Sequence, residues 1–146
     1  MKVGQSIEIY APPEKVWPFL IEPDKVLQWC ITFKKFEYKG DQKSGQGTPL
    51  YIEEQAGGKL TKMDFVVSEW QENAKLTIQM VSGASYKSYI QHFLLEPLPS
   101  GCQFTFMEEI IFPYGVIGRL IGFAAQSMSA ATVNKMLVKL KTLAEV

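Results

Sequence analysis

Histidine is almost missing from this chain of 146 residues, and a single one, His92, excludes a His-rich metal site or a two-histidine HExxH centre. Cysteine is nearly as scarce. Cys30 and Cys102 stand apart, without CxxC spacing, and are expected as buried free thiols rather than a redox pair or a metal clamp. Charge of one sign is lacking too: 15 Lys and Arg balance 15 Asp and Glu, so no global field exists to hold a nucleic-acid backbone. The opening segment, Met1 to Ser6, carries no apolar run of a secretory signal. The balance of charge also leaves no global field to hold an anionic membrane surface. The most apolar stretch, Ile110 to Ala131, is interrupted by Pro113, Arg119 and Gln126. A cytoplasmic protein without an integral membrane segment is expected.

Complete catalytic motifs are absent as well. Gly45-Gln46-Gly47-Thr48-Pro49-Leu50 has two of the three glycines of a dinucleotide loop and no following helix, and Gly83-Ala84-Ser85-Tyr86-Lys87 lacks the last glycine of a nucleophile elbow. Both are expected to be turns. Neither a metal nor a tightly held cofactor is implied.

What the sequence does contain is enough apolar material for a core. With 47% hydrophobic and 21% charged residues, it reads as one globular domain over residues 1–146. Val3 to Tyr10 alternates as a half-buried strand, with Ile7 and Ile9 on one face and Ser6 and Glu8 on the other. Pro13 starts a short helix carrying Val16, Trp17 and Leu20, and a second short helix follows over Lys25 to Cys30. Six strands come next: Phe33 to Lys39, Pro49 to Gln55, Leu60 to Trp70, Lys75 to Val81, Lys87 to Leu95 and Gln103 to Ile111. Their separators are short and rich in Gly, Asn, Ser or Pro, as consecutive antiparallel hairpins require. From Tyr114 to Val146 there is no proline, and the chain reads as one helix of about 30 residues, roughly 45 Å long. No helix separates the six later strands, so a parallel βαβ sheet is excluded.

This order, carried by Ile7-Glu8-Ile9-Tyr10-Ala11-Pro12-Pro13-Glu14-Lys15-Val16-Trp17, then Pro23-Asp24 and Trp29, resembles the START-like superfamily. That superfamily includes plant pathogenesis-related pollen allergens, polyketide cyclases and aromatases, and coenzyme Q-binding proteins. Leu95-Glu96-Pro97 through Gly101 to Phe104 is similar to its last hairpin, and the resemblance covers nearly the whole chain. It implies an α+β helix-grip fold: a seven-stranded curved antiparallel sheet, two short helices after strand 1 and one long C-terminal helix. It also implies an apolar cavity between sheet and long helix, without identifying the contents.

The strand pattern orients the candidate site residues. If Phe93 and Leu95 lie beside Phe104 and Phe106, then Tyr89, Gln91 and Glu108 share the inner face and His92 points outward. A carboxylate inside must be paired, hydrated or protonated; alternatively a bulge carries Glu108 to the rim. Met63, Phe65 and Val67 with Leu76, Ile78 and Met80 are expected to fill the neighbouring inner face. On the long helix, Val133, Met136, Leu140 and Leu143 form an apolar stripe that continues backward as Gly118, Gly122, Ala125 and Ser129, all small. Bulky Ile117, Leu120, Ile121 and Met128 lie on the other side. Either the small stripe leaves room for a ligand, or a kink near Ser127 to Ser129 turns the bulky side inward.

Three functions remain open. The first is binding of a small hydrophobic molecule (a lipid, isoprenoid or aromatic polyketide) under Gly122, Ala125 and Ser129 and against Phe65, Met80, Tyr89, Gln91 and Glu108. The second is a cyclase or aromatase in which Glu108, Tyr89 or His92 moves protons. The third is an interaction module using the bulky helix side, through a homodimer or peripheral membrane contact.

Overall fold

Period-two alternation builds the sheet. In the computed structural model, which describes Met1–Val146, the strands are β1 (Lys2–Ile9), β2 (Phe33–Tyr38), β3 (Pro49–Ala56), β4 (Lys59–Gln71), β5 (Lys75–Ser82), β6 (Ser88–Leu98) and β7 (Gly101–Ile111). They form one sheet in the order β1-β7-β6-β5-β4-β3-β2, and every pair is antiparallel. The helix-grip architecture is therefore present. Register shifts in β2, between Phe33 and Lys35, and twice in β4, next to Phe65 and between Val67 and Glu69, bend the sheet into a half-barrel.

The β6–β7 hairpin reaches further than the turn residues suggest, since Leu98 still pairs with Gly101. Pro97 is tolerated within β6 because β5 ends its pairing at Lys75 with Leu94, leaving that side of β6 free of a neighbouring strand.

The connection from β1 to the opposite edge of the sheet is made by three short helices rather than two: α1 (Pro13–Val16), α2 (Pro18–Ile21) and α3 (Pro23–Trp29). Pro18 is the reason for the extra division. Its ring nitrogen has no hydrogen to continue α1, so the chain restarts there as the first residue of α2. Trp29 closes α3, fully buried, with its indole Nε1 donating to the Phe19 carbonyl at 2.7 Å. Its ring meets Phe93 and Phe104 edge to face, and this aromatic group anchors the core. Cys30 and Cys102 are free and buried.

The final helix, α4 (Gly115–Ala144), is continuous through Ser127–Ser129, so no kink turns its bulky side inward. Val133, Met136, Leu137, Leu140 and Ala144 bury its second half, and the helix packs against β1, β7 and α3. Its first half presents Ile117, Leu120 and Phe123 outward, the last 82% exposed. By length and composition, α4 is long and apolar enough to cross a membrane, despite the interruptions noted in the sequence.

Candidate functional site

A cavity of about 380 Å³ lies between the inner face of the sheet and the middle of α4. Small-molecule sites usually fall between roughly 300 and 1,000 Å³, so this is room for one compact ligand. The small-residue stripe divides in two. Gly118 and Gly122 are buried by close contact: a Cβ on Gly118 would run into the Pro113 carbonyl, and one on Gly122 would crowd the Phe112 ring and Met1. Ala125 and Ser129, one and two turns further along, face open volume and form its roof with Val133 and Met136, while Ile121 and Met128, expected on the other side of the helix, line its rim although α4 is unkinked.

The floor comes from β6 and β7. Phe93 pairs with Phe106, Leu95 with Phe104, Gln91 with Glu108 and Tyr89 with Ile110, without a bulge between the two strands. Alternation then places Tyr89, Gln91, Phe106, Glu108 and Ile110 toward the cavity. Glu109 points the other way. There its carboxylate accepts from His92 Nε2 at 2.8 Å, and Thr77 Oγ1 lies 3.2 Å from His92 Nδ1. His92 is thus held in an outer-face network, separated from the cavity by the sheet.

Two other residues named from sequence also lie off the cavity. Phe65 is fully buried with its ring edge to face against Tyr89, 5.5 Å between centroids, so it supports the floor without lining it. Met80 is half-buried toward the end of β5, past the point where β5 stops pairing with β6. With Gly122, which close packing removes, these three are not part of the lining.

The residue that sequence reasoning missed is Glu54. Leu50 and Ile52 are buried, and the same alternation along β3 carries Glu54 onto the inner face, a signal present but unused. Its carboxylate meets the cluster from the far side of the cavity. The Tyr89 hydroxyl lies 2.8 Å from Glu54 Oε1 and 3.0 Å from Glu108 Oε2, while Gln91 Nε2 donates to the Tyr89 oxygen at 2.7 Å. Thr32 donates to Glu54 Oε2 at 3.2 Å.

One phenolic proton cannot serve two carboxylates at once. Burial, reinforced by the Glu108 charge, pushes the Glu54 carboxyl from its ordinary value up to about 7, despite the opposing hydrogen bonds from Tyr89 and Thr32. Burial also raises Glu108, with the Tyr89 and Gln91 hydrogen bonds pulling it back. The Tyr89 hydroxyl is pushed well above the usual phenol range by burial and by both carboxylates, so it stays protonated. The group is therefore a buried proton-sharing cluster. Gln91 Oε1 is the one cluster atom buried with no hydrogen-bond partner at all.

The family model described as polyketide cyclase / dehydrase and lipid transport matches residues 1–145. No curated protein matches the chain. Solved structures share its fold across nearly the whole length. TTHA0849 from Thermus thermophilus superposes with a TM-score of 0.80 at 17% identity, covering 99% of this chain and 97% of that one. A START superfamily protein from Mycobacterium smegmatis gives 0.74 at 17% identity, with the same coverage of both chains. The Aha1 dimer from Colwellia psychrerythraea gives 0.68 at 18% identity, covering 100% and 97%.

Proposed function

The chain belongs to the polyketide cyclase/dehydrase and lipid-transport family, and from that premise we propose that it binds a small, mostly apolar molecule in the cavity beneath α4. The observation that carries this reading is the cavity itself. Ligand sites are concave and mostly apolar with a few convergent polar groups, and here apolar walls, opening to solvent beside Ile121 and Met128, surround one compact polar cluster. The hydrocarbon body lies under Ala125 and Ser129, and the polar end meets Tyr89, Gln91, Glu54 and Glu108. The uncovered apolar side of α4 suits contact with a membrane surface as a source of such ligands. Ile117 is exposed there, Ile121 and Met128 on the same side also line the rim of the cavity, Lys135 and Lys139 follow at helical spacing, and α4 contains no acidic residue.

Ala125→Phe tests the reading. A ring placed at Ala125 fills the cavity, so affinity for the neutral fluorescent probe N-phenyl-1-naphthylamine falls while the unfolding midpoint in urea stays level or rises. At a closely packed position the same change overpacks and costs about 1–3 kcal/mol. Destabilisation together with no probe binding by the parent protein refutes the binding reading.

A second reading, acid–base catalysis, is favoured by one observation: Glu54 is poised near neutral pH beside Tyr89. In that case Glu54 takes the α-proton of a bound diketone and returns one from solvent. Deuterium exchange into the diketone, followed by NMR, is then catalysed by the parent protein and lost in Glu54→Gln; exchange at the uncatalysed rate in both excludes it.

A further inference from the structure

The floor of the cavity has too many hydrogen-bond acceptors for its donors. Glu54 and Glu108 bring four carboxylate oxygens, and Gln91 adds an amide oxygen. Against these stand the Tyr89 and Thr32 hydroxyls and the Gln91 amide nitrogen, all already committed within the cluster; Tyr86 and Gln55 also line the cavity but neither side chain bonds to any of these oxygens. Gln91 is 1% exposed, lines the cavity, and its Oε1 accepts nothing. A buried acceptor left in this state costs free energy until a donor arrives.

Countercharge is missing as well. No lysine, arginine or histidine lines the cavity. Lys59 and Lys62 are exposed and border a neighbouring depression that shares Glu54, Ala56 and Tyr86 with the cavity, yet neither forms an ion pair with Glu54, and His92 faces the opposite side of the sheet, engaged with Glu109. The Met1 ammonium is tied to the Ile110 carbonyl at 2.6 Å. A buried carboxylate pair without a cation resolves its repulsion in one of two ways: it keeps a proton, or it takes a positively charged partner.

We infer that the ligand is an apolar amine, whose protonated nitrogen sits between Glu54 and Glu108 and donates to Gln91 Oε1. The inference rests on the binding reading above and adds the chemical class. Both carboxylates converge on the Tyr89 hydroxyl, within 2.8 and 3.0 Å, so a single ammonium beside that hydroxyl reaches both. An ammonium carries donors and no acceptor, which is what this floor lacks. The apolar roof at Ala125, Val133 and Met136 takes the hydrocarbon. A carboxylic acid would add acceptors and negative charge to a site already rich in both. An alcohol supplies one donor and no charge.

Three probes with one skeleton separate these cases: 2-(aminomethyl)naphthalene, 2-naphthalenemethanol and 2-naphthoate, titrated calorimetrically at pH 7.5. The amine is expected to bind roughly tenfold or more tightly than the alcohol, because charge-assisted hydrogen bonds are about twice as strong as neutral ones, and the naphthoate to bind weakest. In the double variant Glu54→Gln/Glu108→Gln, the ratio of amine to alcohol affinity should fall to about one. If the alcohol or the naphthoate binds as tightly as the amine, the amine assignment fails and the apolar-ligand reading survives. A preference for the amine that persists in the double variant places the selectivity elsewhere and also overturns it. If none of the three binds, both readings fail together.

Discussion

Replacing Glu54 by Gln should make the protein more stable at alkaline pH and remove most of an unusual pH dependence. In the unfolded chain this carboxyl titrates near its ordinary value of 4.5; in the folded protein it holds its proton up to about 7. Between those values the native state binds more protons than the unfolded state, so stability falls as pH rises through the window and levels off above it. The size follows from the shift. At about 1.4 kcal/mol per pH unit, the span from 4.5 to about 7 gives an upper figure of roughly 3.5 kcal/mol, and the residual solvent contact of Glu54 reduces this to about 2–3 kcal/mol. Residues with depressed values behave oppositely and elsewhere. Hydrogen bonds from Lys39 to Asp64, from His92 to Glu109 and from Lys141 to Glu145 hold those carboxyls low, so their contribution is lost only as pH falls below the ordinary carboxylate range. Urea unfolding by tryptophan fluorescence at pH 5, 6, 7 and 8 and constant ionic strength reads the effect. The parent protein should lose stability across this series, and Glu54→Gln should lose much less. The His92–Glu109 pair is common to both proteins, so the difference between them isolates Glu54 from any histidine contribution. A parent protein whose stability is flat or rises from pH 5 to 8, or a variant with an unchanged slope, refutes the proton-sharing cluster.

Trp29→Ala removes a fully buried ring that touches Phe93 and Phe104, and should cost about 3–5 kcal/mol in chemical denaturation; a loss under about 1 kcal/mol contradicts its anchoring role. Gly118→Ala drives a methyl into the Pro113 carbonyl, so a loss of about 1–3 kcal/mol is expected, whereas a stabilised variant would mean that the start of α4 stands away from that turn. Ile117→Glu lies on the exposed side of α4 that also carries Lys135 and Lys139, and should change stability by less than about 0.5 kcal/mol. It should nevertheless weaken co-sedimentation with phosphatidylglycerol vesicles; equal sedimentation of both proteins removes the membrane-contact reading.

Much of the fold was legible because it rests on local chemistry. Proline at Pro13, Pro18 and Pro23 marks helix starts, although the division at Pro18 was easily passed over because proline is also tolerated within a first helical turn. Alternation from Phe93 to Leu95 and from Phe104 to Phe106, joined by a short hairpin, sets the register that turns Gln91 and Glu108 inward and His92 outward. Those relations span a few residues, and side-chain period alone decides them.

The completed cluster was not legible in this way. Glu54 on β3 and Tyr89 on β6 belong to strands separated by β4 and β5, and in a flat sheet three strand spacings of about 4.8 Å would hold their backbones roughly 14 Å apart. Curvature of the whole sheet, aided by the bulges in β4, closes that distance until carboxylate and hydroxyl meet at 2.8 Å. The small residues of α4 carry the same lesson. Gly118, Gly122, Ala125 and Ser129 share one helix face, yet what lies beneath each depends on where the Phe112–Pro113 turn ends. That turn occupies the space under the two glycines and leaves the space under Ala125 and Ser129 empty. Helical spacing therefore determines which residues look toward the sheet, and only the packed tertiary structure decides whether they meet backbone or a cavity.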